Sequence, residues 1–255
     1  MDIEKLYNQN QRDFSGVNLS GQWLITANLR GVNLSNADLK NALLFGANLS
    51  DSVLFDANLS DAIAVVANLS SANLSNANLN RINLSGANLS NSRLIGANLS
   101  YGRLIAANLN SANLISANLR RADLFGAKLN GADFSHANLE KANLSQSNLS
   151  SAFLLEANLK GADLTDANLT GADLTGADLK GAYLNLNSSE LIAEILRQSA
   201  GEEKEKQKIA QLILMFREGW EFLVHLNDPL TQWAMESIKA IAAKNQEFPE
   251  PSEVD

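Results

Sequence analysis

The chain has 255 residues, of which 45% are hydrophobic and 19% are charged, and its formal net charge is −8. This apolar content excludes wholesale disorder, and the absence of cysteine excludes disulfides and thiolate metal sites. Residues 1–11 are polar and contain no apolar stretch typical of a signal peptide. No run of 18 apolar residues could form a membrane span. We therefore expect a soluble, cytoplasmic protein in which residues 1–11 form an N-terminal cap.

A repeat of five residues fills the chain from Phe14 to Leu184. The repeat has 35 central positions, of which 32 are Leu, and the exceptions are Phe14, Ala64 and Phe134. Ala stands two residues before the centre in 26 of the 35 pentapeptides, and Asn or Asp stands directly before it in 26. No insertion interrupts the register. Such a regular pattern predicts one continuous repeat structure.

Neither a straight helix nor a flat strand gives these leucines a common core. Five residues turn an α-helix by roughly 500°, which would spread the leucines around the helix. An odd spacing on a strand sends successive leucines to opposite faces. A chain that turns a right angle every five residues instead points each central side chain, and the Ala near each corner, at one axis. Four pentapeptides then close a square coil, and stacking at about 4.8 Å gives a rod about 42 Å long.

The tandem motif A(N/D)LxX, as in Ala37-Asp38-Leu39, resembles the pentapeptide-repeat family over residues 12–186. The resemblance implies a mainly β fold, a right-handed quadrilateral β-helix (solenoid), here followed by a small α-helical C-terminal segment. It implies no common enzymatic activity. Some members of the family bind DNA gyrase as mimics of DNA, and others resemble regulators of cyanobacterial cell differentiation. The unbroken, Asn-rich repeat is similar to cyanobacterial members.

Residues 20 positions apart should stack on the same one of four faces. Two opposite faces carry mainly Asn, Ser and charged residues and are interpreted as solvated. A third face should expose an apolar patch over three coils, formed by Trp23, Ile25, Leu43, Phe45, Ile63 and Val65. The opposite face carries a more dispersed second apolar set, Val53, Phe55, Ile95, Ile115, Phe153 and Leu155.

An exposed apolar patch of several hundred Å² on a soluble protein usually marks a contact surface. Two interpretations remain open. The protein covers the patch itself, with its C-terminal helices or in a homodimer, or the patch binds a protein partner of unknown identity.

Helical spacing replaces the five-residue period in residues 187–247, which predict about three helices. The first begins near Ser189 as N-cap and ends at Gly201, and the third begins at Asp228-Pro229. The second is amphipathic and is the candidate dimer helix, with the apolar stripe Ile209, Leu212, Ile213, Phe216, Trp220 and Leu223. We predict a homodimer through this segment and a disordered tail over residues 248–255.

The sequence shows no recognisable catalytic chemistry. His136 and His225 are the only histidines, and neither has a partner at metal-ligand spacing. The acidic residues Asp163, Asp173 and Asp178 recur between glycines, but the repeat itself accounts for them. We therefore predict no catalytic residues, no cofactor and no metal, and hence no enzyme.

Charge distribution separates the remaining functions. Residues 12–186 contain 13 acidic and 12 basic residues, whereas residues 187–255 contain 13 acidic and 7 basic residues. A DNA-mimicking inhibitor or protector of DNA gyrase needs a strongly negative rod, so this near-neutral repeat disfavours that alternative. No basic stripe is evident, which argues against direct nucleic-acid binding. The predicted function is a non-catalytic protein–protein interaction scaffold or regulator.

Overall fold

The solenoid and its two flanking helices are seen in a computed structural model that describes residues 3–184 and 189–201, with 203–204, 229, 232–234 and 236–237 beyond them. The elements in chain order are α1 (Ile3–Asn8), β1 (Asp163–Leu164), β2 (Tyr183–Leu184) and α2 (Ser189–Ala200). Strands β1 and β2 pair in parallel. Elsewhere the residue before each centre forms a parallel bridge with the residue 20 positions later. The predicted coil of 20 residues is confirmed.

The five positions of each pentapeptide have distinct roles. In chain order we name them the alanine position, the leading residue, the central residue, the trailing residue and the corner residue, as in residues 47–51. Coil 1 begins at Arg12, and faces 1 to 4 pass through the central residues Phe14, Leu19, Leu24 and Leu29. The described central residues are all buried, from Phe14 at one end to Leu184 at the other. The alanine positions are mostly buried too, which confirms the predicted inward orientation of both.

Each right angle is a β-turn closed by one backbone hydrogen bond. The N–H of the alanine position donates to the carbonyl of the preceding central residue, as from Ala47 to Leu44 at 3.0 Å. The corner residue has φ between 50° and 72° at every corner from Gly16 to Gly181. A positive φ at the third residue alone defines a type II turn. Glycine fills 12 of these corners and other residues fill 22.

Each polar pentapeptide in the interior of the stack satisfies all five of its backbone N–H groups. One N–H closes the turn, three donate to carbonyls of the neighbouring coils, and the N–H of the trailing residue donates to the side-chain oxygen of the leading residue. In residues 47–51 the five bonds are Ala47 to Leu44, Asn48 to Ala27, Leu49 to Asn68, Asp51 to Ser70, and Ser50 to Asn48 Oδ1. Because buried or crowded backbone donors need partners, the side-chain oxygen completes the set.

This backbone requirement explains the preference for Asn or Asp at the leading position. All 26 leading Asn and Asp residues accept the N–H of their trailing residue, at 2.9 to 3.4 Å. Asn also donates to the coil before it, as from Asn48 Nδ2 to Asn28 Oδ1 at 3.3 Å. Asn therefore links the turn to the stack.

Helices lie at both ends of the stacked core. Ile3 of α1 belongs to the same buried cluster as the first central residues, and Leu6 and Tyr7 pack against that cluster. At the other end Ile195 of α2 joins the cluster. Both contacts cover core that an open coil would expose to water. Helix α2 occupies the place of the first predicted C-terminal helix, whereas the second and third predicted helices lie largely outside the described residues.

The first prediction tests the side-chain cap. Asn68 caps Ser70 and joins Asn48 below and Asn88 above it in a ladder. Replacing Asn68 by Leu should lower the free energy of unfolding by about 1–2 kcal/mol, because the N–H of Ser70 loses its acceptor. Asn68→Asp keeps the oxygen and should cost less. Thermal unfolding of both variants measures this, and equal losses would contradict the capping role.

The second prediction concerns strain at a corner. Thr26 and Val66 are the only β-branched residues among the corners of the described solenoid, with φ of 55° and 50°. A β-branched side chain is strained at positive φ, whereas Asn tolerates it. Val66→Asn should raise the free energy of unfolding by about 1 kcal/mol, measured by thermal or denaturant unfolding. The matched control is Ser116→Asn at an unbranched corner, and a gain of the same size there would rule out strain relief as the cause.

Candidate interaction surface

The six residues of the predicted apolar patch lie together on face 3, in coils 1 to 3. Parallel bridges join Trp23 to Leu43 and Leu43 to Ile63, so the three leading residues form one column. The three trailing residues form the neighbouring column. Trp23 is 78% exposed and Phe45 48% exposed, whereas Leu43 and Val65 are half-buried. The structure therefore brings the predicted residues into one surface.

Three further apolar residues extend this surface and were not singled out from the sequence. Val66, at the corner beside Val65, is 52% exposed. Ile105 and Phe125 continue the column of trailing residues into coils 5 and 6, and Phe125 is exposed. Their spacing of 40 and 60 residues from Val65 is the signal in the sequence that could have found them. Ser85 interrupts the column between them and the patch.

The pentapeptides of the apolar patch lack the side-chain caps that are present on the polar faces. Seven trailing N–H groups of the solenoid have no hydrogen-bond acceptor among the described residues, and each belongs to an apolar residue on face 1 or face 3. They are those of Ile25, Phe45, Phe55, Val65, Ile95, Ile105 and Leu155. On face 4 the leading residue Lys128 has no side-chain acceptor for the N–H of its trailing residue, Asn130. Asn110 Oδ1, one coil earlier, accepts this N–H instead, at 3.0 Å.

Each missing cap lowers stability by the net value of a hydrogen bond, about 0.5–1.5 kcal/mol. Three of the seven uncapped groups, Ile25, Phe45 and Val65, lie inside the apolar patch. The strained corners Thr26 and Val66 border it. Three features therefore lower the free energy of unfolding at the apolar patch. They are its exposed apolar side chains, its missing caps and its strained corners. The stability of the solenoid therefore does not explain the patch, and exposed apolar surface of this kind usually marks a contact surface.

The second apolar set is spread over face 1, as expected from the sequence. Val53 and Phe55 lie together in coil 3, and Phe153 in coil 8 is 51% exposed. Ile95, Ile115 and Leu155 are half-buried. Ile95 and Ile115 stack in coils 5 and 6, but the polar coils 4 and 7 separate them from the apolar residues of coils 3 and 8, so the set forms no surface comparable with the patch. The six residues of the candidate dimer helix, Ile209, Leu212, Ile213, Phe216, Trp220 and Leu223, lie outside the described residues.

Several titratable groups of the solenoid pair with one another. Nδ1 of His136 lies 3.2 Å from Oε2 of Glu156. Burial tends to raise the pKa of Asp178, but hydrogen bonds from Lys160 and from the N–H of Lys180 outweigh it, so the pKa is lowered. Within the described residues, no group of three or more His, Asp or Glu could hold a metal ion. No helix in that part of the chain is long and apolar enough to span a membrane.

Comparison with known proteins places the repeat in a family. The family model for pentapeptide repeats matches the chain in eight copies between residues 13 and 181. No curated protein matches. Among solved structures, HetL of the cyanobacterium Nostoc sp. strain PCC 7120, described as a pentapeptide repeat protein involved in heterocyst differentiation regulation, is 34% identical. That alignment covers 72% of this chain and 95% of HetL, with a TM-score of 0.35.

Two other solved structures show the spread of these relatives. A pentapeptide repeat protein of the Arabidopsis thaliana thylakoid lumen is 31% identical over 46% of this chain and 77% of its own, with a TM-score of 0.34. QnrB1, a plasmid-mediated fluoroquinolone resistance protein, is 20% identical over 72% of this chain and 96% of its own, with a TM-score of 0.42. The repeat, its square coils and the matching family model together show that this chain belongs to the pentapeptide-repeat family, which implies a right-handed β-helix.

Proposed function

We propose that the protein is a non-catalytic interaction module that binds a protein partner through the apolar patch of face 3. The observation that carries this proposal is the coincidence of exposed Trp23 and Phe45 with three uncapped N–H groups and two strained corners. Residues that lower the stability of a fold at one place are typical of a functional surface.

The geometry of the patch suits recognition of another protein. Coil stacking holds its two columns of side chains in fixed rows about 4.8 Å apart along the rod. A surface that is already ordered loses little conformational entropy when it binds. Trp and other large aromatic side chains are the types that most often dominate binding energy at protein interfaces. Trp23 and Phe45 would supply such anchors.

Charge does not favour the alternative of a DNA mimic. Acidic and basic residues nearly balance over residues 12–186. A mimic of DNA must present a continuous acidic surface to a basic groove, and several carboxylates of the rod, among them Asp61 and Asp178, are paired with cations of neighbouring coils. We therefore retain the protein partner as the proposed function.

The third prediction separates binding from folding with one substitution. Ile63→Asn should raise the thermal midpoint, because the new side chain would cap the N–H of Val65 and accept from Asn83 in the next coil. The same change removes an apolar residue from the centre of the patch. Capture of the partner from an extract of the native host, quantified against the wild-type protein, should fall at least about fivefold.

Val53→Asn is the matched control, because Val53 leads the pentapeptide on the opposite face of the same coil. Its Asn would cap Phe55 and lie between Asn33 and Asn73. This variant should be stabilised in the same way and keep full partner capture. Equal capture by the Ile63 and Val53 variants would refute binding through the patch, while loss of folding by Ile63→Asn would mean that the protein itself covers the patch.

The fourth prediction concerns the oligomeric state. We propose that the protein forms a homodimer through the stripe that contains Ile213 and Phe216. Replacing Phe216 by Glu places a charge in this stripe and should convert the dimer to a monomer, because an unpaired charge is costly in an apolar contact. Light scattering coupled to size-exclusion chromatography measures the mass. A monomeric wild-type protein, or an unchanged dimer in the variant, would contradict the assignment.

A further inference from the structure

Apolar trailing residues occupy face 3 in two blocks along the rod. The first block lies in coils 1 to 3, within the apolar patch, and Ile105 and Phe125 form the second in coils 5 and 6. Ser85 in coil 4 separates the blocks, and coils 7 and 8 carry the polar residues Ser145 and Thr165 at this position. The apolar part of face 3 therefore spans coils 1 to 6, and its midpoint lies between coils 3 and 4.

A two-fold axis at this midpoint, perpendicular to the rod, would join two copies of the chain by their faces 3 with the rods antiparallel. Coils 1, 2 and 3 of one copy would then lie opposite coils 6, 5 and 4 of the other. Because this rotation keeps the direction of each strand, leading residues face leading residues and trailing residues face trailing residues. An isologous contact of this kind requires a surface that is complementary to itself.

The trailing residues of face 3 meet this requirement. Ile25 would lie opposite Phe125 of the second copy, and Phe45 would lie opposite Ile105. The symmetry repeats both pairs, so each exposed phenylalanine meets an isoleucine. Phe45 is 48% exposed and Phe125 is 39% exposed, which leaves surface of both rings to bury. The rotation thus gives the second block a partner in the first.

The leading residues match polar groups to Trp23 and Leu43. Asp123 would lie opposite Trp23, whose indole N–H needs an acceptor when the ring is buried. Arg103 would lie opposite Leu43, one coil from Trp23. Its aliphatic stem would pack on the leucine and its guanidinium would reach the indole ring. The two charged residues therefore each face a group with which they can interact.

The edge towards face 2 brings no like charges together in this arrangement. The exposed Lys40 of one copy would lie opposite Tyr101 of the other, which is 45% exposed. Asp61 would lie opposite Arg81, which it already binds within its own chain at 2.7 Å. The contact would join two such ion pairs across the axis.

Other arrangements of two copies fit less well. An axis centred on coil 2 would pair the apolar patch with itself, but it would bring the two Lys40 side chains together and leave Ile105 and Phe125 uncovered. Parallel rods would place Arg103 against Ile105 and Asp123 against Phe125. Neither apolar residue offers a partner to a charge, so burial there is costly.

The area of the contact suits a weak but specific dimer. Six coils at about 4.8 Å give an overlap about 29 Å long. At about 200 Å² for a whole aromatic side chain, the exposed fractions of Trp23, Phe45 and Phe125 leave roughly 330 Å² to bury in each copy. With the exposed aliphatic residues of the patch, two copies would bury roughly 1,000 Å², which is the lower range of specific interfaces.

We propose that face 3 binds a second copy of this chain, held antiparallel about a two-fold axis between coils 3 and 4. The proposal rests on the proposed function, because it treats the apolar patch as the contact surface and names its partner. An interface of this size has a dissociation constant in the micromolar range. It dissociates on dilution during size-exclusion chromatography, so it is separate from the dimer proposed through the stripe that contains Phe216.

The fifth prediction is a distance between two copies. Because the chain has no cysteine, one spin label can be placed at Gln146→Cys, an exposed corner of coil 7 outside the contact. The labels of two copies should lie about 34 Å apart along the rod, and labels at Gly181→Cys in coil 9 about 53 Å apart. Electron–electron double resonance at about 100 micromolar protein measures both, in the full chain with Phe216→Glu to remove the other proposed contact.

Phe125→Ser tests the contact with little effect on the fold. Serine is the commonest trailing residue of the solenoid, and Asp123 already accepts the N–H of residue 125 at 3.2 Å. The variant should weaken the dimer at least about tenfold in analytical ultracentrifugation and reduce the signal at 34 Å. Phe55→Ser is the matched control, because Phe55 trails on the opposite face and is 38% exposed. It should leave both measurements unchanged.

Four results would overturn the proposal. One is the absence of any distance between copies, and another is an equal loss of dimer in the Phe125 and Phe55 variants. A distance of about 48 Å from position 146 would place the axis on coil 2, and equal distances from positions 146 and 181 would indicate parallel rods. Capture that falls in Ile63→Asn without any distance between copies would mean that the patch binds a different protein, so the proposed function would stand without this inference.

Discussion

Every pentapeptide of this solenoid must turn a right angle and still find acceptors for five backbone N–H groups. The turn and the neighbouring coils satisfy four of them, and the leading Asn or Asp satisfies the fifth. A right-angled coil built only from backbone contacts would leave one N–H per pentapeptide without a partner. The side-chain oxygen is thus as much a part of the fold as the central leucine. The core and the cap together restrict three of the five positions.

The two positions least restricted, the trailing and corner residues, carry most of the differences between faces. Faces 2 and 4 keep the polar ladder almost without exception, and Asn110 restores a cap where Lys128 has removed one. Faces 1 and 3 depart from it at seven pentapeptides of the described solenoid, where an apolar residue or Arg leads and an apolar residue trails, as in Leu43 and Phe45. The solenoid tolerates these departures because the remaining bonds between coils are unaffected. The apolar residues of faces 1 and 3 therefore lower the local free energy of unfolding and change the surface, but they leave the square coil intact.

Stacking of the coils also joins residues that are far apart in the sequence into continuous surfaces. Residues separated by 20 positions lie one coil apart, so side chains distant in sequence become neighbours along an edge. Arg121 and Tyr101 meet in this way, and so do Arg81 and Asp61. The leading column of face 3 is apolar in coils 1 to 3, at Trp23, Leu43 and Ile63, and carries the cation Arg103 in coil 5. One rod therefore offers two different chemistries to its surroundings.

The five-residue period determined the square coil, the inward leucines and the grouping of Trp23 and Phe45, because a repeat without insertions leaves one way to give its apolar residues a common core. Three features required the tertiary structure. The capping role of Asn depends on the direction of a neighbouring N–H, which only the folded turn defines. The closure of the first coil by Ile3 depends on packing between segments without a shared period. The grouping of cations where faces 2 and 3 meet, such as Arg81 and Arg103, depends on how residues of two adjoining faces come together at a corner, and the net charge of the repeat does not reveal it.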